Sequence, residues 1–547
     1  TAASDPEYLG KLTNASLENG DRAGDTVLAL PSEATIAVSG NTAVVGALYE
    51  DSAAIGVNGE VSDNSAASSG AAHVYIRDAG SNWVLQAYLK ASNTQAGDYF
   101  GASVALQGDV LVIGAPYEDS NASGVDGDQS NNLSTLSGAA YIFVRQGTNW
   151  TQSAYLKPVP NVGNRRFGGS VAVSGETVAV GSDEAVDVYV RDGHTWIHQQ
   201  RIVSASNNGA DDFGLSVKVS GDRMVVGAPG EDSNATGVNG DESNGSSSGS
   251  GAAYVYVRNN GVWTQEAFLK ASFNGANDNF GFTVDISGDS LVVGARWEDS
   301  AATGVNGEQD DGAAGNSGAA YVFHRTDTGW VQEAYLKASN TGAADDFGQS
   351  VAIAGDLVVI GAPDEAGNST EIDGPDNNNA TGRGAAYLFV RSGSIWSQKA
   401  YLKGFDAAGS ADFGTSVSVA GSVVLASAPG ADSTKGAIYA FQLDASNSIP
   451  EISITANGGE IADAATTIAT TLNTDFGAAG IATNTFVITN SGTGTLTLQY
   501  PRLSGTASVD FSIIAPPSPT VAPGGSTTFS IRFAPTTSGA RPATVTI

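Results

Sequence analysis

One stretch of the chain, residues 280–337, decides the fold, because close variants of it recur along the sequence. Its segments, in order, are Phe280-Gly281, Thr283-Val284-Asp285-Ile286, Ser287-Gly288-Asp289, Leu291-Val292-Val293-Gly294-Ala295, Glu298-Asp299-Ser300, Ala319-Ala320-Tyr321-Val322-Phe323 and Trp330-Val331-Gln332-Glu333-Ala334-Tyr335-Leu336-Lys337. The four apolar or alternating runs predict four short antiparallel strands. A tight turn follows the first strand, and a long acidic loop separates the second strand from the third.

Seven variants of this unit lie between about residue 5 and residue 444. The phenylalanines that open the repeats are Phe100, Phe167, Phe213, Phe280, Phe347 and Phe413. The first repeat has no Phe-Gly and begins near Ala34, and the third repeat is short because its long loop is missing. Self-similarity at this period predicts a propeller or a solenoid.

The seventh repeat stops after Ile438-Tyr439-Ala440-Phe441 and has no fourth strand of its own. The N-terminal segment Glu7-Tyr8-Leu9-Gly10-Lys11 is similar to the fourth-strand segment Ala334-Tyr335-Leu336-Lys337. We therefore expect residues 5–13 to complete the last sheet and close a ring, because closure leaves no open array ends. The sequence predicts an all-β chain with a seven-bladed β-propeller over residues 1–447.

The pattern changes from about Ser448 onward. Residues 448–547 hold alternating runs such as Thr485-Phe486-Val487-Ile488 and Thr527-Thr528-Phe529-Ser530-Ile531, punctuated by Pro516-Pro517. Such runs predict an antiparallel β-sandwich. Because the final residues up to Ile547 look like a strand that stops, we expect the chain to be a fragment of a larger multidomain protein.

The formal net charge of −32 and the pI of about 4.2 describe a strongly acidic surface. Such a surface repels nucleic acid and anionic membranes, and no apolar run is long enough for a membrane-spanning helix. The absence of Cys argues against a disulfide scaffold and against zinc-thiolate sites. We expect neither a nucleic-acid partner nor membrane insertion.

Two motifs carry a family resemblance. Phe-Gly opens a repeat and Gly-Ala-Pro ends its second strand, as in Phe100-Gly101 with Gly114-Ala115-Pro116 and Phe347-Gly348 with Gly361-Ala362-Pro363. This pairing resembles the FG-GAP repeat of the integrin α-chain propeller and of bacterial surface proteins. The C-terminal part, with Phe533-Ala534-Pro535, resembles the immunoglobulin-like choice-of-anchor D and ASPM-SPD-2-Hydin domains. This resemblance implies an immunoglobulin-like β-sandwich over residues 448–547. The resemblance implies a secreted or cell-surface bacterial protein.

Calcium-binding members of that family usually carry an Asp-rich loop between the first two strands. Here that turn is only Ser287-Gly288-Asp289 or similar, so a cation site must lie elsewhere. Strand alternation brings Phe-Gly, Gly-Ala-Pro, the long acidic loop and the crossover to the next repeat to one end of each sheet. The sequence thus predicts one face that carries all the long loops and most of the carboxylates.

Oxygen-bearing residues alternate in these long loops and are followed by Gly, a pattern that can wrap a hard cation. The predicted calcium ligands are Asp119, Asn121, Ser123, Asp126 and Asp128, then Asp232, Asn234, Thr236, Asn239 and Asp241, and finally Asp51, Asn58, Asp299 and Asn306. A second possible ligand set precedes Phe-Gly and comprises Asp98, Asp211, Asp278, Asp345 and Asp412. The alternative is that these residues only form turns and accept backbone N–H groups.

Six tryptophans stand near the start of fourth strands, and we expect them to pack in the core or at sheet edges. They are Trp83, Trp150, Trp196, Trp263, Trp330 and Trp396. Trp297 differs because it follows Arg296, the residue in the place of the motif's Pro, on the loop-rich face. It is therefore a candidate ligand contact.

Catalytic motifs are not evident among the four His residues, so we expect a non-enzymatic module without catalytic residues. The favoured function is extracellular binding or adhesion, in which calcium-stabilised loops recognise a glycan or a protein. One alternative is an extracellular polysaccharide lyase or hydrolase, which predicts a basic cleft bearing His or Tyr near the short third repeat and Arg165-Arg166. The other alternative is a passive structural spacer.

Overall fold

The computed structural model divides the chain into two compact units, one spanning Asp5–Gln442 and one formed mainly by Leu443–Ile547. The predicted boundary after residue 447 lies outside the described residues. The residues that the structure describes are 6–12, 17–18, 20–25, 35–78, 80–204, 210–375, 382–406, 409–443, 452–456, 459–461, 476, 480–490, 496–498, 501–518, 520–522, 525–535 and 540–546.

Within these described ranges, the first unit consists of seven antiparallel sheets and has almost no helix. The first strands are β1 (Pro6–Leu12), β2 (Ile36–Ser39), β3 (Thr42–Ala47), β4 (Ala71–Arg77), β5 (Trp83–Leu89), β6 (Ser103–Gln107), β7 (Val110–Ala115), β8 (Gly124–Val125), β9 (Ala139–Gln146), β10 (Asn149–Lys157), β11 (Ser170–Ser174), β12 (Thr177–Ser182), β13 (Ala185–Asp192) and β14 (Thr195–Ile202). They are followed by β15 (Ser216–Ser220), β16 (Arg223–Ala228), β17 (Ala252–Asn259), β18 (Val262–Leu269), β19 (Phe280–Ser287), β20 (Ser290–Ala295), β21 (Ala319–Thr326), β22 (Gly329–Leu336), β23 (Ser350–Ala354), β24 (Leu357–Ala362), β25 (Ala385–Ser392), β26 (Ile395–Leu402), β27 (Val417–Ala420), β28 (Val423–Ala428), the short helical turn α1 (Ala431–Thr434) and β29 (Ala437–Leu443).

The sheets follow one another around a closed cycle. Their strand orders are β2-β3-β4-β5, β6-β7-β9-β10-β8, β11-β12-β13-β14, β15-β16-β17-β18, β19-β20-β21-β22, β23-β24-β25-β26 and β1-β29-β28-β27. Each sheet has one strand that contacts the corresponding strand of the next sheet, and the last of these contacts the first. In order, these strands are β2, β6, β11, β15, β19, β23 and β27. Residues of all seven of these strands line a central cavity of about 160 Å³. This arrangement resembles a β-propeller.

The N-terminal strand β1 is the outer strand of the sheet that contains β29, the last strand of the first unit. The sequence predicted this place for residues 5–13, of which residues 6–12 are described. Lys11 Nζ lies 3.1 Å from Asp406 Oδ2 and 2.8 Å from Asp432 Oδ2. These ion pairs connect the N-terminal strand to the segment between β26 and β27 and to α1.

Phe-Gly and Gly-Ala-Pro lie together at the place where one sheet packs against the next. We call this packing contact between adjacent sheets the joint. The Gly101 N–H donates to the Gly114 carbonyl at 2.9 Å, within its own sheet. The Gly101 carbonyl covers Gly46 of the preceding sheet so closely that a Cβ on Gly46 would lie 2.0 Å from it. Only glycine fits at that approach. Phe100 beside it is fully buried.

The first sheet has its own version of this joint. Gly24 N–H donates to the Gly46 carbonyl at 2.8 Å, as Gly101 does in the next sheet. Ala23 stands where other repeats have Phe, and it is fully buried. The first strand of this repeat begins at Ile36, as the sequence predicts, but Ala23-Gly24, which lies ahead of β2 and supplies the contact with Gly46, was not predicted.

Tryptophans of the fourth strands connect neighbouring sheets. Trp330 Nε1 donates to Glu266 of the preceding sheet at 3.0 Å, and Trp396 Nε1 donates to Glu333 at 2.9 Å. Five of the six predicted packing tryptophans are at most 5% exposed. Trp83 is half-buried. The prediction of packing roles is thus confirmed for these five.

The second unit, within its described residues, contains one five-stranded sheet and two two-stranded sheets, all antiparallel. Its strands are β30 (Ile452–Ala456), β31 (Gly459–Ile461), β32 (Ala482–Asn490), β33 (Leu496–Thr497), β34 (Arg502–Ser504), β35 (Phe511–Ala515), β36 (Thr520–Val521), β37 (Ser526–Phe533) and β38 (Thr544–Thr546). The larger sheet has the order β31-β30-β32-β37-β35. Phe486 stacks on Phe529 in its core, with ring centroids 5.0 Å apart.

Candidate functional site

The long loops leave the sheets at the end where Phe-Gly and Gly-Ala-Pro meet. Two-residue turns such as 288–289 connect the first and second strands at the other end. Antiparallel pairing then returns the second strand to the joint, so the loop from β20 to β21 starts there. We call this end the loop face.

A buried glutamate at the start of a long loop pairs with a buried lysine at the end of the fourth strand. Lys337 Nζ lies 2.8 Å from Glu298 Oε2 and donates to Ser317 Oγ at 2.7 Å. Tyr335 donates its hydroxyl to the other Glu298 oxygen at 2.9 Å. The same ion pair recurs as Glu50–Lys90, Glu118–Lys157, Glu231–Lys270 and Glu365–Lys403. These charges anchor the loops and are not exposed to a ligand.

The first aspartate of each predicted calcium loop accepts a backbone N–H from across the same loop. Asp119 Oδ1 accepts from Leu136 at 2.7 Å, and Asp232 Oδ1 accepts from Gly249 at 2.8 Å. The equivalent bonds join Asp51 to Ser68 and Asp299 to Asn316. These carboxylates therefore close the loop upon itself.

The residue at the loop's Gly-Val-Asx segment holds the loop against the fourth strand. Asp126 Oδ1 accepts from the Tyr155 N–H in β10 at 2.9 Å. The equivalent bonds join Asn58 to Tyr88, Asn239 to Phe268 and Asn306 to Tyr335. The sequence predicts these four residues as calcium ligands, and in the structure each of them accepts one backbone N–H from a fourth strand.

The remaining predicted ligands lie at or near the loop surface. Ser130 donates to Asp128 through its hydroxyl and its N–H, and these hydrogen bonds hold the pKa of Asp128 below its usual value. Ser243 does the same to Asp241. Ser123 Oγ donates to the Pro158 carbonyl at 3.0 Å. The side chains of Asn121, Asn234 and Thr236 are exposed.

Calcium stays a prediction for these loops. Asp119 and Asp126 of one loop are each aimed at a different backbone amide. Among the described residues, no three His, Cys, Asp or Glu side chains are grouped so as to hold a metal ion. The hydrogen bonds fit the turn-forming alternative directly.

Most of the predicted crossover aspartates are buried beneath the loop face. Asp98 Oδ2 accepts the Gln95 N–H at 3.0 Å, and Asp278 and Asp345 make the same bond to Gly275 and Gly342. Burial, together with nearby Glu118, raises the pKa of Asp98 to about 7. Burial likewise raises the pKa of Asp278 to about 7. Asp211 is also buried.

Asp412 belongs to a different position, the residue immediately before Phe-Gly or Ala-Gly. This residue has a left-handed backbone in each of the seven sheets, with φ between 47° and 55°. We call it the ring position, and its occupants are Arg22, Tyr99, Arg166, Asp212, Asn279, Asp346 and Asp412. All seven are partly exposed. The backbone is thus the same in every sheet while the side-chain chemistry differs.

Three tyrosines of the loop face contact one another around the ring-position residue Tyr99. The ring centroids of Tyr99 and Tyr49 are 5.7 Å apart, and those of Tyr99 and Tyr117 are 4.9 Å apart, both edge-to-face. All three side chains are partly exposed. We call Tyr49, Tyr99 and Tyr117 the tyrosine cluster.

Arg22 lies beside the tyrosine cluster. Its Nε is 2.6 Å from Asp25 Oδ2, and its Nη2 is 3.8 Å from Asp412 Oδ2. Burial raises the pKa of the Tyr49 hydroxyl, and the Asp25 carboxylate contributes to that rise. Aromatic, cationic and carboxylate groups therefore lie side by side on this part of the loop face.

Trp297, the predicted ligand contact, covers a second arginine. The guanidinium of Arg296 lies 3.7 Å from the Phe282 ring centroid and 4.3 Å from the Trp297 ring centroid. Burial lowers the pKa of Arg296 to about 10. Burial and nearby Asp364 raise the pKa of Asp346 to about 7. Trp297 is half-buried, so one of its roles is to pack on Arg296.

The basic groups that the enzyme alternative requires are paired with carboxylates. His198 Nε2 lies 2.8 Å from Asp187 Oδ1, and Arg201 Nη1 lies 2.7 Å from Asp187 Oδ2. Arg166 Nε lies 2.9 Å from Asp183 Oδ2, and Arg165 pairs with Glu184. Asp187 is fully buried, so the third sheet has an internal ion-pair group where five other sheets have the glutamate–lysine pair.

The comparison with protein families identifies five copies of one repeat. The FG-GAP repeat matches residues 83–143, 196–256, 263–323, 330–389 and 396–441, just over half of the chain. The chain belongs to the FG-GAP repeat family. Each matched FG-GAP repeat begins with the fourth strand of one sheet and ends in the third strand of the next. The sequence repeat is therefore offset by one strand from the sheet.

Comparisons with other proteins add little to the family assignment. No curated protein matches the FG-GAP chain. Among 295 matching chains of solved structures is the crystal structure of the Myceliophteria_thermophila Cps50 (Swd1) beta-propeller domain. It is 8% identical with a TM-score of 0.44, and the match covers 80% of this chain and 99% of that chain. No helix among the described residues is long and apolar enough to cross a membrane.

Proposed function

We propose that this FG-GAP chain is a non-enzymatic, extracellular binding or adhesion module of a bacterial surface protein. Its loop face recognises a glycan or a protein. The proposed architecture is a seven-bladed propeller, closed by its N-terminal strand, followed by an immunoglobulin-like β-sandwich that separates the propeller from the rest of a larger protein. The net charge of −32 suits an exposed position in a medium with salt or divalent cations.

The observation that carries the proposal is that the loops are separable from the fold. The third sheet joins β12 to β13 through residues 183–184 alone, yet it keeps the same four-strand order as its neighbours. A long loop is therefore not required to build a sheet. Long connections that rest on a rigid scaffold and are not needed for its fold are commonly devoted to recognition.

A loop exchange tests this function. Residues 122–133, in the long loop of the second sheet that follows Tyr117, are replaced by a short Gly-Ser linker, which retains Glu118, Asp119, Ser120 and Ser137 at the loop root. The full chain and this variant are compared on glycan and extracellular-protein arrays and by thermal melting. We expect the variant to remain folded and to lose or weaken the array signals.

The matched control changes the opposite face, with Asp222→Asn in the turn between β15 and β16. Asp222 is exposed, and we expect the array profile of this variant to be unchanged. Equal binding by all three proteins would contradict a binding role for the loop face. Cleavage of a polysaccharide on the array would favour the enzyme alternative, and no signal at all would favour a spacer.

A further inference from the structure

We propose that the tyrosine cluster, together with Arg22, Asp25 and Asp412 beside it, binds a neutral saccharide. The inference rests on the proposed binding function of the loop face and names the ligand class and the place. It follows from how the ring position is occupied in different sheets, from the geometry of the three tyrosines and from the local charge balance.

The ring position shows which residues the scaffold itself prefers. A left-handed backbone is uncommon for residues with a Cβ, and Asn and Asp adopt it several times more often than others. Asp212, Asn279, Asp346 and Asp412 follow that preference. Tyr99 does not, although an Asn in the same backbone is well accommodated at position 279. Backbone strain of this kind concentrates at functional sites.

Arg22 is a second unfavourable occupant, and it adjoins the same cluster. Its φ is 47°, and both it and Asp25 are near enough to Tyr49 to influence that hydroxyl electrostatically. Three consecutive sheets thus place a long or aromatic side chain in this strained position, namely Arg22, Tyr99 and Arg166. Of these, Arg22 and Tyr99 both lie near Tyr49 on one part of the loop face. Folding alone does not account for this choice.

The aromatic geometry suits a sugar ring. Tyr99 stands edge-to-face against both Tyr49 and Tyr117, with interplanar angles of 87° and 77°. Partly exposed tyrosines provide an apolar surface for the C–H face of a pyranose and hydroxyl groups for its polar edge. Arg22 and Asp412 add a donor and an acceptor at the border, as sites with a few convergent polar groups do, and buried Asp25 holds Arg22 in place.

The local charges favour a neutral ligand over a charged one. Arg22 lies between Asp25 and Asp412, at 2.6 and 3.8 Å, so these carboxylates already face a guanidinium. A cationic side chain of a protein partner would compete with Arg22 for them. An anionic glycan would approach a chain with a formal net charge of −32. Hydroxyl groups can bond to both the acid and the base without either penalty.

Isothermal titration of the full chain tests the proposal with defined probes. Cellohexaose, laminarihexaose, mannohexaose and chitohexaose are the neutral probes, a hexagalacturonate is the anionic probe and nona-arginine is the cationic probe. The test variant is Tyr99→Asn, which introduces the residue found at position 279. The matched control is Asp212→Asn, at the same backbone position beside Arg166.

We expect at least one neutral hexasaccharide to bind the parent chain, and Tyr99→Asn to weaken that binding by about tenfold or more. Asp212→Asn should stay within about twofold of the parent. Tyr99→Asn should melt at the same temperature as the parent or higher, which separates a lost contact from a lost fold.

Three results would overturn the saccharide site. They are no binding of any neutral probe, an equal effect of both substitutions, and binding of only a charged probe that depends on Tyr99. The last result would assign the cluster to a charged ligand and leave the proposed binding function of the loop face standing. A negative loop exchange on the arrays would instead remove the binding function itself.

Discussion

Lys337 and Glu298 form an ion pair inside the protein, with Nζ 2.8 Å from Oε2 and both side chains at most 3% exposed. The lysine ends a fourth strand and the glutamate begins a long loop, so the pair fixes the loop root to the sheet. Lys337 also donates to Ser317 Oγ and to the Ser300 carbonyl, and Tyr335 donates to Glu298. A buried pair of this kind is sensitive to the loss of one member.

Lys337→Met leaves Glu298 buried without its cation, and we expect the free energy of unfolding to fall by about 3–5 kcal/mol. The double variant Lys337→Met with Glu298→Gln should recover a large part of this loss. Arg325→Met, which removes an exposed partner of Asp289, should change stability by less than about 1 kcal/mol. Chemical denaturation of the full chain measures all three. A single-variant loss no larger than that of Arg325→Met would contradict the account.

The glutamate–lysine pair could have been found in the sequence. The glutamates at 50, 118, 231, 298 and 365 each precede a lysine at 90, 157, 270, 337 and 403 by nearly the same distance. The loop's Asp residues resemble cation ligands and the Tyr-Leu-Lys segment resembles only a strand end, so neither pattern by itself indicates an ion pair. The strand register brings the two ends together, but the direct contact depends on side-chain packing.

Substitution of Trp330 tests how much its hydrogen bond to the neighbouring sheet contributes to stability. Its Nε1 donates to Glu266, whereas Nε1 of the equivalent Trp196 has no hydrogen-bond partner in the described part of the chain. Trp330→Phe should therefore lower the free energy of unfolding by about 1–2 kcal/mol more than Trp196→Phe does. Both rings are at most 5% exposed, so the loss of ring packing is similar in the two variants. Equal losses in denaturation would show that the hydrogen bond contributes nothing.

The stability of the chain should depend on pH through Asp98. Its folded-state pKa is about 7, above the ordinary value near 4, so the native state binds more protons between these two values. The free energy of unfolding contributed by this group therefore falls as pH rises from about 4 to about 7. Asp98→Asn removes that dependence. Its melting temperature relative to the parent should rise over this pH range, and a constant difference would contradict the assignment.

Calcium binding and loop closure by Asp119 give different results in one experiment. If the predicted calcium site is present, calcium raises the melting temperature of the parent chain, and Asp119→Ala with Asp232→Ala removes the rise. If the hydrogen bonds to Leu136 and Gly249 are the whole role, the two substitutions lower the melting temperature equally with and without calcium. Melting with excess calcium and with a chelator distinguishes the two. The hydrogen bonds favour the second result.

The fold was far easier to predict than the candidate site. The close backbone approach at each joint requires glycine, as at Gly46 and Gly101. The motifs Phe-Gly and Gly-Ala-Pro therefore recur, and the joint can be recognised from the sequence. The ring position carries no such signal, since Tyr99 and Arg22 are poor residues for a left-handed backbone. The first joint is also hard to recognise from the sequence, because Ala23 stands where the other repeats have Phe. Only coordinates show that these divergent residues share one backbone position.

Hydrogen–deuterium exchange of the full chain, with and without the ligand that the arrays identify, tests the central claim most directly. The account predicts that protection on binding is confined to loop-face peptides, above all residues 46–50, 97–103 and 114–118. Protection confined to the opposite turns, such as residues 39–42 and 107–110, or to the outer strands β5 and β10, would contradict it.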